Sequence, residues 1–253
     1  MIRRPPRSTL SSSSAASDVY KRQGLVRLLT RKLHISASLA RNPEIMVSGA
    51  DNAQDLEKNL SWPNAIVAGP GMFENFWSEQ ILFKLLVKIT EKKIPALLDA
   101  GALRLITNKA FSKMKLHDQM VLTPHPGEAA DMLKVSTQEI QKDRIESAKK
   151  LQKKYNCIIV LKGQGTIICN KKEMYLCSSG GPELAVAGTG DILSGVIGSL
   201  IAQGLAPLDA AITGVGLHAQ AGENFATEVG RIGLAASELI PQIRKLLKYT
   251  AEA

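Results

Sequence analysis

The feature that most constrains the fold is an alternation of short apolar segments with longer helical patterns, which runs from about residue 62 to the C-terminal end. Polar or Gly/Pro-rich loops follow the apolar segments, and the apolar positions between them recur at helical spacing. The predicted strands cover residues 65–68, 96–99, 120–122 and 157–161. This order favours a mostly parallel sheet with helices on both faces and right-handed crossovers between its strands.

A hairpin and several helices complete this pattern. Residues 166–170 and 174–178 are predicted to form two strands, so the sheet gains an antiparallel edge. Ser136 and Glu139 form a capping-box pattern at the start of one helix that reaches Tyr155. Further helices are predicted at 74–92, 190–203, 207–228 and 235–248. The expected architecture is α/β, a three-layer αβα domain with a hairpin edge.

Composition and charge exclude several classes of protein. The chain has 253 residues, 45% of them hydrophobic, which suits one α/β domain. The apolar stretch 81–89 is interrupted by two lysines, so no membrane helix is predicted. Much of the net charge of +9 lies in the first 23 residues, and the other lysines alternate with acids, so nucleic-acid binding is not expected. Three cysteines without metal-ligand spacing predict no zinc site and a reducing compartment, the cytoplasm.

Residues 1–23 differ from the rest of the chain. They contain a serine run and show no apolar periodicity, which excludes a secretory signal. They resemble translated sequencing-adapter sequence, and a disordered tail or a transit peptide is the alternative. We therefore expect a foreign or disordered leader, followed by a single domain over residues 24–253.

The strongest functional signal is AGTGD at 187–191, directly before a predicted helix. Ligands of such sheets bind beyond the carboxyl ends of the strands. Glycines at a helix start leave backbone N–H groups free to bind an anion at the positive end of the helix dipole. Asp191 could simply cap this helix, but a cap does not require the glycines before it. A carboxylate beside a phosphate site can instead take a proton from a hydroxyl that attacks phosphorus.

Three other loops at strand ends carry weaker signals. LKGQGT at 161–166 is either a tight turn or a phosphate-binding loop with Lys162. TPHPGE at 123–128 is fixed by two prolines, which makes His125 a candidate binding residue, although it could be an ordinary loop histidine. GPG at 69–71 ends the first predicted strand and is weak evidence alone. His218, on an Ala- and Gly-rich helix, is predicted to be structural.

Taken together, GPG, LTPHPGE, LKGQGT and AGTGDILSG resemble the motifs of bacterial NAD(P)H-hydrate dehydratases, members of the ribokinase-like superfamily. The resemblance covers about residues 24–247. It implies a lyase that uses ADP or ATP with Mg²⁺ to return the S form of hydrated NADH or NADPH (NADHX, NADPHX) to the intact dinucleotide. The ring hydroxyl is phosphorylated and phosphate then leaves. A homotetramer and a functional pairing with NAD(P)H-hydrate epimerase are also implied.

The resemblance assigns roles to individual residues. Asp191 is implied to be catalytic and to face the ring hydroxyl. The implied substrate-binding residues are Gly71, His125, Pro126, Gly127, Glu128 and Asp191. The implied nucleotide-binding residues are Lys162, Gly163, Gln164, Gly165, Thr166, Gly188, Thr189 and Gly190. No residue is implied to be a metal ligand.

The chain departs from the family pattern in several places. GPGMF at 69–73, DAGAL at 99–103 and GPE at 181–183 stand where the family usually has GPGLG, DADAL and NPG. These differences affect the substrate side more than the reaction class. The family's first strand-helix unit is expected to be absent, and one wall of the substrate site with it. A small-molecule kinase of the same superfamily and an inactive nucleotide-binding fragment are the alternatives.

Overall fold

The computed structural model describes residues 25–60 and 63–250, with only the backbone described at 248–250. This part begins with a parallel pair of strands, β1 (Arg27–Thr30) and β2 (Met46–Gly49), joined through a 3-10 turn (Lys32–His34) and α1 (Ile35–Arg41). The short helix α2 (Ala53–Glu57) follows. The sequence did not predict this unit, because its strands are only partly buried and lack an apolar run. The leader predicted at residues 1–23 lies outside the described residues, and the expected absence of the family's first strand-helix unit stays a prediction.

Six strands form the central sheet, and their order in space is their order in the chain. The four parallel strands are β3 (Ile66–Ala68), β4 (Ala96–Leu98), β5 (Met120–Leu122) and β6 (Ile158–Leu161). The antiparallel hairpin is formed by β7 (Thr166–Cys169) and β8 (Met174–Cys177). The parallel strands end at one common edge, where ligands of such sheets bind.

Helices lie between and after the strands of this sheet. Those between the parallel strands are α3 (Phe76–Lys92), α4 (Gly101–Leu105), α5 (Pro126–Leu133), α6 (Thr137–Lys142) and α7 (Arg144–Tyr155). Those after the hairpin are α8 (Thr189–Ala202), α9 (Pro207–Glu228) and α10 (Leu239–Thr250). Further 3-10 turns lie at Lys109–Phe111, Pro182–Leu184 and Ala236–Glu238. No described helix is long and apolar enough to cross a membrane.

Each face of the sheet has its own apolar core, because alternate strand residues point to opposite faces. On β4, Ala96 and Leu98 pack against α3 to α7, whereas Leu97 packs against α8 to α10. Leu122 and Val121 on β5 divide in the same way. These two helical layers and the hairpin edge confirm the predicted three-layer architecture.

The predicted elements agree with the observed ones except for one helix. The single helix predicted from the Ser136 capping box to Tyr155 is wrong, since α6 ends at Lys142 and α7 begins at Arg144. Asp143 has φ −146° and ψ 87°, which lies outside the helical region. Its carboxylate accepts a 2.9 Å hydrogen bond from the amide of Glu146 and caps α7. The capping box at Ser136 is confirmed.

Candidate active site

Helix α8 begins at the edge of the sheet where the parallel strands end. Gly188, which precedes it, has φ +96°, a conformation that favours glycine. The carbonyl of Thr189, in the first turn, accepts a 2.9 Å hydrogen bond from Nε2 of buried His218. Burial lowers the pKa of His218 to about 4, so its ring is neutral near pH 7. This bond fits the structural role predicted for His218.

A buried ion pair lies beside α8. Nζ of Lys162, just after β6, donates a 2.7 Å hydrogen bond to Oδ1 of Asp99, just after β4. The hydroxyl of Ser194 on α8 donates a 2.7 Å hydrogen bond to Oδ2 of Asp99. Asp99 is 1% exposed and both of its oxygens are bonded. Burial lowers the pKa of Lys162, but the carboxylates of Asp99 and Glu128 outweigh burial and raise this pKa, so the ammonium stays charged.

Asp191 lies in the first turn of α8 and is 7% exposed. Its Oδ2 is buried and has no hydrogen-bond partner among the described residues. Burial raises the pKa of Asp191 to about 7; the charge of Asp99 adds to this rise, Lys162 opposes it and Glu128 adds to it. A carboxylate with an unpaired oxygen and a pKa near 7 is suited to accept a proton at neutral pH.

Lys162 also lies against the first turn of α8. A side chain at Gly190 would place its Cβ 3.3 Å from Nζ of Lys162. The first backbone N–H groups of a helix lack intrahelical partners and carry the positive end of its dipole. An ammonium and a helix N-terminus therefore meet beside Asp191, which is the arrangement expected for an anion site.

The loop after β6 has a backbone that depends on glycine. Gly163 has φ +133° and Gly165 has φ +66°. The hydroxyl of Thr166 donates a 3.0 Å hydrogen bond back to the carbonyl of Gly163, and Gln164 is exposed. The amide of Lys162 is bonded to the carbonyl of Pro124, which ties this loop to the loop after β5.

His125 is the N-cap of α5. Its Nδ1 accepts hydrogen bonds from the amides of Gly127 at 3.0 Å and Glu128 at 3.3 Å, while Oε2 of Glu128 accepts from the amide of His125 at 2.9 Å. Pro126 occupies the first helical position. The His125 side chain is 48% exposed, and the same Glu128 oxygen lies 3.9 Å from Nζ of Lys162. His125 thus has a capping role, and its contact with substrate stays a prediction.

The loop after β3 packs closely on the turn after β4. A Cβ at Gly69 would collide with the carbonyl oxygen of Asp99, so the loop requires glycine there. A Cβ at Gly101 would collide with the carbonyl oxygen of Met72. Gly71 has φ +74° and lies in the same loop. This close approach places the first glycine loop directly beside the ion pair.

The turn after β4 is strained. Ala100, between Asp99 and Gly101, has φ +46° and ψ −122°, a region that residues with a side chain rarely occupy. Such a conformation costs about 1–3 kcal/mol and is found preferentially at functional sites. This strained turn directly follows Asp99, whose carboxylate is bonded to Nζ of Lys162.

The chain is similar in sequence and in fold to known proteins. The sequence model of the NAD(P)H-hydrate dehydratase family matches residues 8–245. The chain belongs to this family. A bifunctional NAD(P)H-hydrate repair enzyme of Coxiella burnetii is 39% identical over 225 residues, which are 88% of this chain and 44% of the relative. The chain thus spans less than half the length of the bifunctional relatives it matches.

Other members of the family, and solved structures, agree with this placement. An ADP-dependent (S)-NAD(P)H-hydrate dehydratase of Neisseria meningitidis is 35% identical over 83% of this chain and 70% of its own length. The ADP/ATP-dependent NAD(P)H-hydrate dehydratase of Bacillus subtilis, co-crystallised with ATP and Mg²⁺, has a TM-score of 0.80 at 27% identity, covering 95% of this chain and 86% of that one. A ribokinase-like superfamily protein of Enterococcus faecalis shares the fold at TM-score 0.85 and 24% identity, covering 97% and 84%. The ribokinase-like fold is confirmed.

Within this dehydratase-family site, some predicted residues meet and others do not. Four predicted residues lie together: Asp191, Gly190, Lys162 and Glu128. His125 is linked to this group because its amide donates a hydrogen bond to Glu128. Gln164 and Thr166 have no described contact with Asp191. Three residues that link the elements of the site by hydrogen bonds were not predicted from the sequence: Asp99, Arg144 and Ser194. Only Asp99 carried a signal, since it ends a buried strand.

The residues of this site fit an anionic co-substrate such as the ADP or ATP in the names of these relatives. Lys162 lies against the first turn of α8, which also carries Asp191, so two positive groups stand beside one carboxylate with an unpaired oxygen. Among the described residues, no three His, Cys, Asp or Glu side chains are grouped to hold a metal ion. A Mg²⁺ ion commonly binds through substrate phosphates and one or two carboxylates, which needs no such group.

Proposed function

We propose that this chain dehydrates the S form of NAD(P)H hydrate to NAD(P)H, with ADP or ATP as the phosphoryl donor. The observation that carries the proposal is the unpartnered oxygen of Asp191 beside a helix N-terminus and Lys162. Family membership supports the choice of substrate, and the names of the relatives from Neisseria meningitidis and Bacillus subtilis support the nucleotide.

In the first step, Asp191 takes the proton from the ring hydroxyl as its oxygen attacks the terminal phosphorus of the nucleotide. A pKa of about 7 leaves a large fraction of Asp191 ionised at neutral pH and still gives it enough basicity to accept the proton. The acceptor is the Asp191 carboxylate, whose Oδ2 has no hydrogen-bond partner among the described residues. The amides at Gly188 and Gly190 and the Lys162 ammonium stabilise the charge on the transferred phosphoryl group, whereas the Thr189 amide donates to the carbonyl of Val186.

In the second step, the phosphorylated ring loses phosphate. The electron pair of the ring nitrogen expels phosphate, which is a far better leaving group than hydroxide, and loss of a ring proton then restores the dihydropyridine. The site needs to hold the departing anion only until the ring is restored, and the same amides and ammonium serve this purpose. A kinase-like site therefore achieves a dehydration.

The remaining assignments are proposals of the same kind. Gly71, His125, Pro126, Gly127 and Glu128 would contact the hydrated dinucleotide, because both of their loops lie at the edge of the sheet near Lys162. Residues 163–166 would hold the nucleotide phosphates. Mg²⁺ would enter with those phosphates and neutralise part of their charge.

The partners follow from the relatives. Relatives described as bifunctional repair enzymes support pairing with an NAD(P)H-hydrate epimerase. A homotetramer remains a proposal drawn from the family resemblance. The free cysteines Cys157, Cys169 and Cys177 suit a reducing compartment such as the cytoplasm.

The test is direct. The protein is incubated with hydrated NADH or NADPH, Mg²⁺ and either ADP or ATP, and the return of the dihydropyridine absorbance is followed. We expect recovery with release of one phosphate per dinucleotide. A stable phosphorylated product would indicate a kinase instead, and a folded protein that gives no recovery with either nucleotide would refute the proposal.

A further inference from the structure

Arg144 binds both ends of the loop after β6. Its Nη2 lies 3.1 Å from the carbonyl oxygen of Leu161, 3.4 Å from that of Lys162 and 3.1 Å from that of Gly165. Its Nη1 donates a 3.3 Å hydrogen bond to Oε1 of Gln141. A single planar guanidinium therefore fixes the direction of three carbonyl groups.

Three amide groups of the same loop are unbonded. Within the part of the chain that the structure describes, the amides of Gly163, Gln164 and Gly165 donate to no acceptor. Three carbonyl groups at the ends of the loop are occupied by Arg144. The three free N–H groups are therefore available as donors to a ligand. Successive free amides in such a turn form a concave site for anions.

The charge of Arg144 is also available to an anion. Among the described residues, no carboxylate forms an ion pair with Arg144, whereas Lys162 is paired with Asp99 at 2.7 Å. Burial lowers the pKa of Arg144, but an arginine remains charged at neutral pH. The loop therefore has an unmatched positive charge behind it.

The local structure is built around this contact. The interruption at Asp143 makes Arg144 the first residue of α7, next to the edge of the sheet. A Cβ at Gly163 would collide with Nη1 of Arg144, and φ +133° at this residue also requires glycine. Glycine at this position therefore leaves room for the guanidinium against the loop.

We propose that Arg144 is a positioning residue that shapes the loop of residues 162–165 so that its free amides bind the phosphate groups of a nucleotide. The inference rests on the proposed function, because that function supplies the nucleotide. Arg144 acts through the loop and does not touch the reacting atoms. Its loss therefore weakens nucleotide binding more than it slows the chemical step.

The experiment compares Arg144→Met and Arg144→Lys with the unmodified protein, and uses Lys150→Met as a matched control on the exposed side of α7. Calorimetry gives the Kd for ADP, steady-state kinetics give KM and kcat, and NMR relaxation gives order parameters for the amides of Gly163 and Gly165. Thermal unfolding checks that each variant folds.

For Arg144→Met we expect Kd and KM for ADP to rise by about tenfold to one-hundredfold, since hydrogen bonds from a charged donor are lost. The kcat should change far less, and the loop order parameters should fall from about 0.85 towards 0.6. Arg144→Lys should lie between, because lysine keeps the charge without the planar fork. Lys150→Met should match the unmodified protein.

Two results would overturn the inference, and they differ. If the unmodified protein binds ADP and a folded Arg144→Met protein binds it equally well with an equally ordered loop, only the role of Arg144 fails. If the unmodified protein binds neither ADP nor ATP, the proposed function fails and this inference fails with it.

Discussion

Asp99 and Asp191 are two of the buried carboxylates at the edge of the sheet where the parallel strands end, and they differ in how completely they are paired. Asp99, on the turn after β4, is bonded to Lys162 through one oxygen and to Ser194 through the other. Asp191, at the start of α8, has an oxygen with no partner among the described residues. In a low-dielectric interior, a fully bonded carboxylate fixes its neighbours, whereas an unbonded one keeps a raised pKa and can take up a proton.

Because they are paired differently, the two carboxylates have different roles. Asp99 holds the Lys162 ammonium in place, and its negative charge helps to raise the pKa of Asp191. Asp191 keeps an unpaired oxygen, and we propose that it is the group that reacts.

The largest effect is expected for Asp191→Asn. Asparagine cannot accept the hydroxyl proton, so kcat should fall by about 10²–10⁴-fold while the Kd for ADP stays nearly constant. Rate measurements and calorimetry on the same preparation test this, with Asp131→Asn on the exposed face of α5 as the control. Retention of most of the activity would show that Asp191 is only a helix cap.

Asp99→Asn should act mainly on stability. It leaves the buried Lys162 charge with the weaker interactions of Glu128 at 3.9 Å and of Asp191, and breaking a buried pair in this way costs about 3–5 kcal/mol. Denaturant unfolding measures the change, again relative to Asp131→Asn. A loss below about 1 kcal/mol would mean that Asp99 does not anchor the site.

The pH dependence of kcat/KM should show the raised pKa of Asp191. Protonation removes the base, so kcat/KM should fall about tenfold per pH unit below a midpoint near 7. In a folded Asp99→Asn variant, this midpoint should move to lower pH. A midpoint near 4 in the unmodified protein would contradict the assigned environment.

The free energy of unfolding should also depend on pH through Asp191. The folded protein binds the Asp191 proton more tightly than the unfolded chain does, so this residue makes folding less favourable as pH rises from about 4 to about 7. Asp191→Asn removes this dependence. As pH rises across that range, the free energy of unfolding of the variant should therefore increase relative to that of the unmodified protein.

The smallest effect is expected for Ala100→Gly in the turn that carries Asp99. Glycine relieves the positive φ but adds freedom to the unfolded chain, so unfolding free energy should rise by at most about 1 kcal/mol. Thermal and denaturant unfolding measure it. A clear loss of stability would show that the side chain of Ala100 contributes packing that outweighs its strain.

The sequence predicted most of the fold because the strands of the central sheet are short, apolar and followed by glycine or proline. It missed β1 and β2, whose partly exposed residues give no clear pattern, and it missed the break at Asp143, since helical periodicity continues across it. Of the site, the glycine loops and Asp191 were recognisable from local sequence. The contacts of Asp99, Arg144 and Ser194 were not, because each joins elements separated by many residues in the chain.

The order of the strands has a consequence for how the protein matures. The helices between the parallel strands cover one face of the sheet, so Leu97, Val121 and Val160 on the other face have no cover until the segment from α8 to α10 is added. A nascent chain that stops before residue 189 therefore exposes an apolar surface and is prone to aggregate. The same segment carries Asp191, so the carboxylate that we propose as the catalytic base is added together with the last layer of the core.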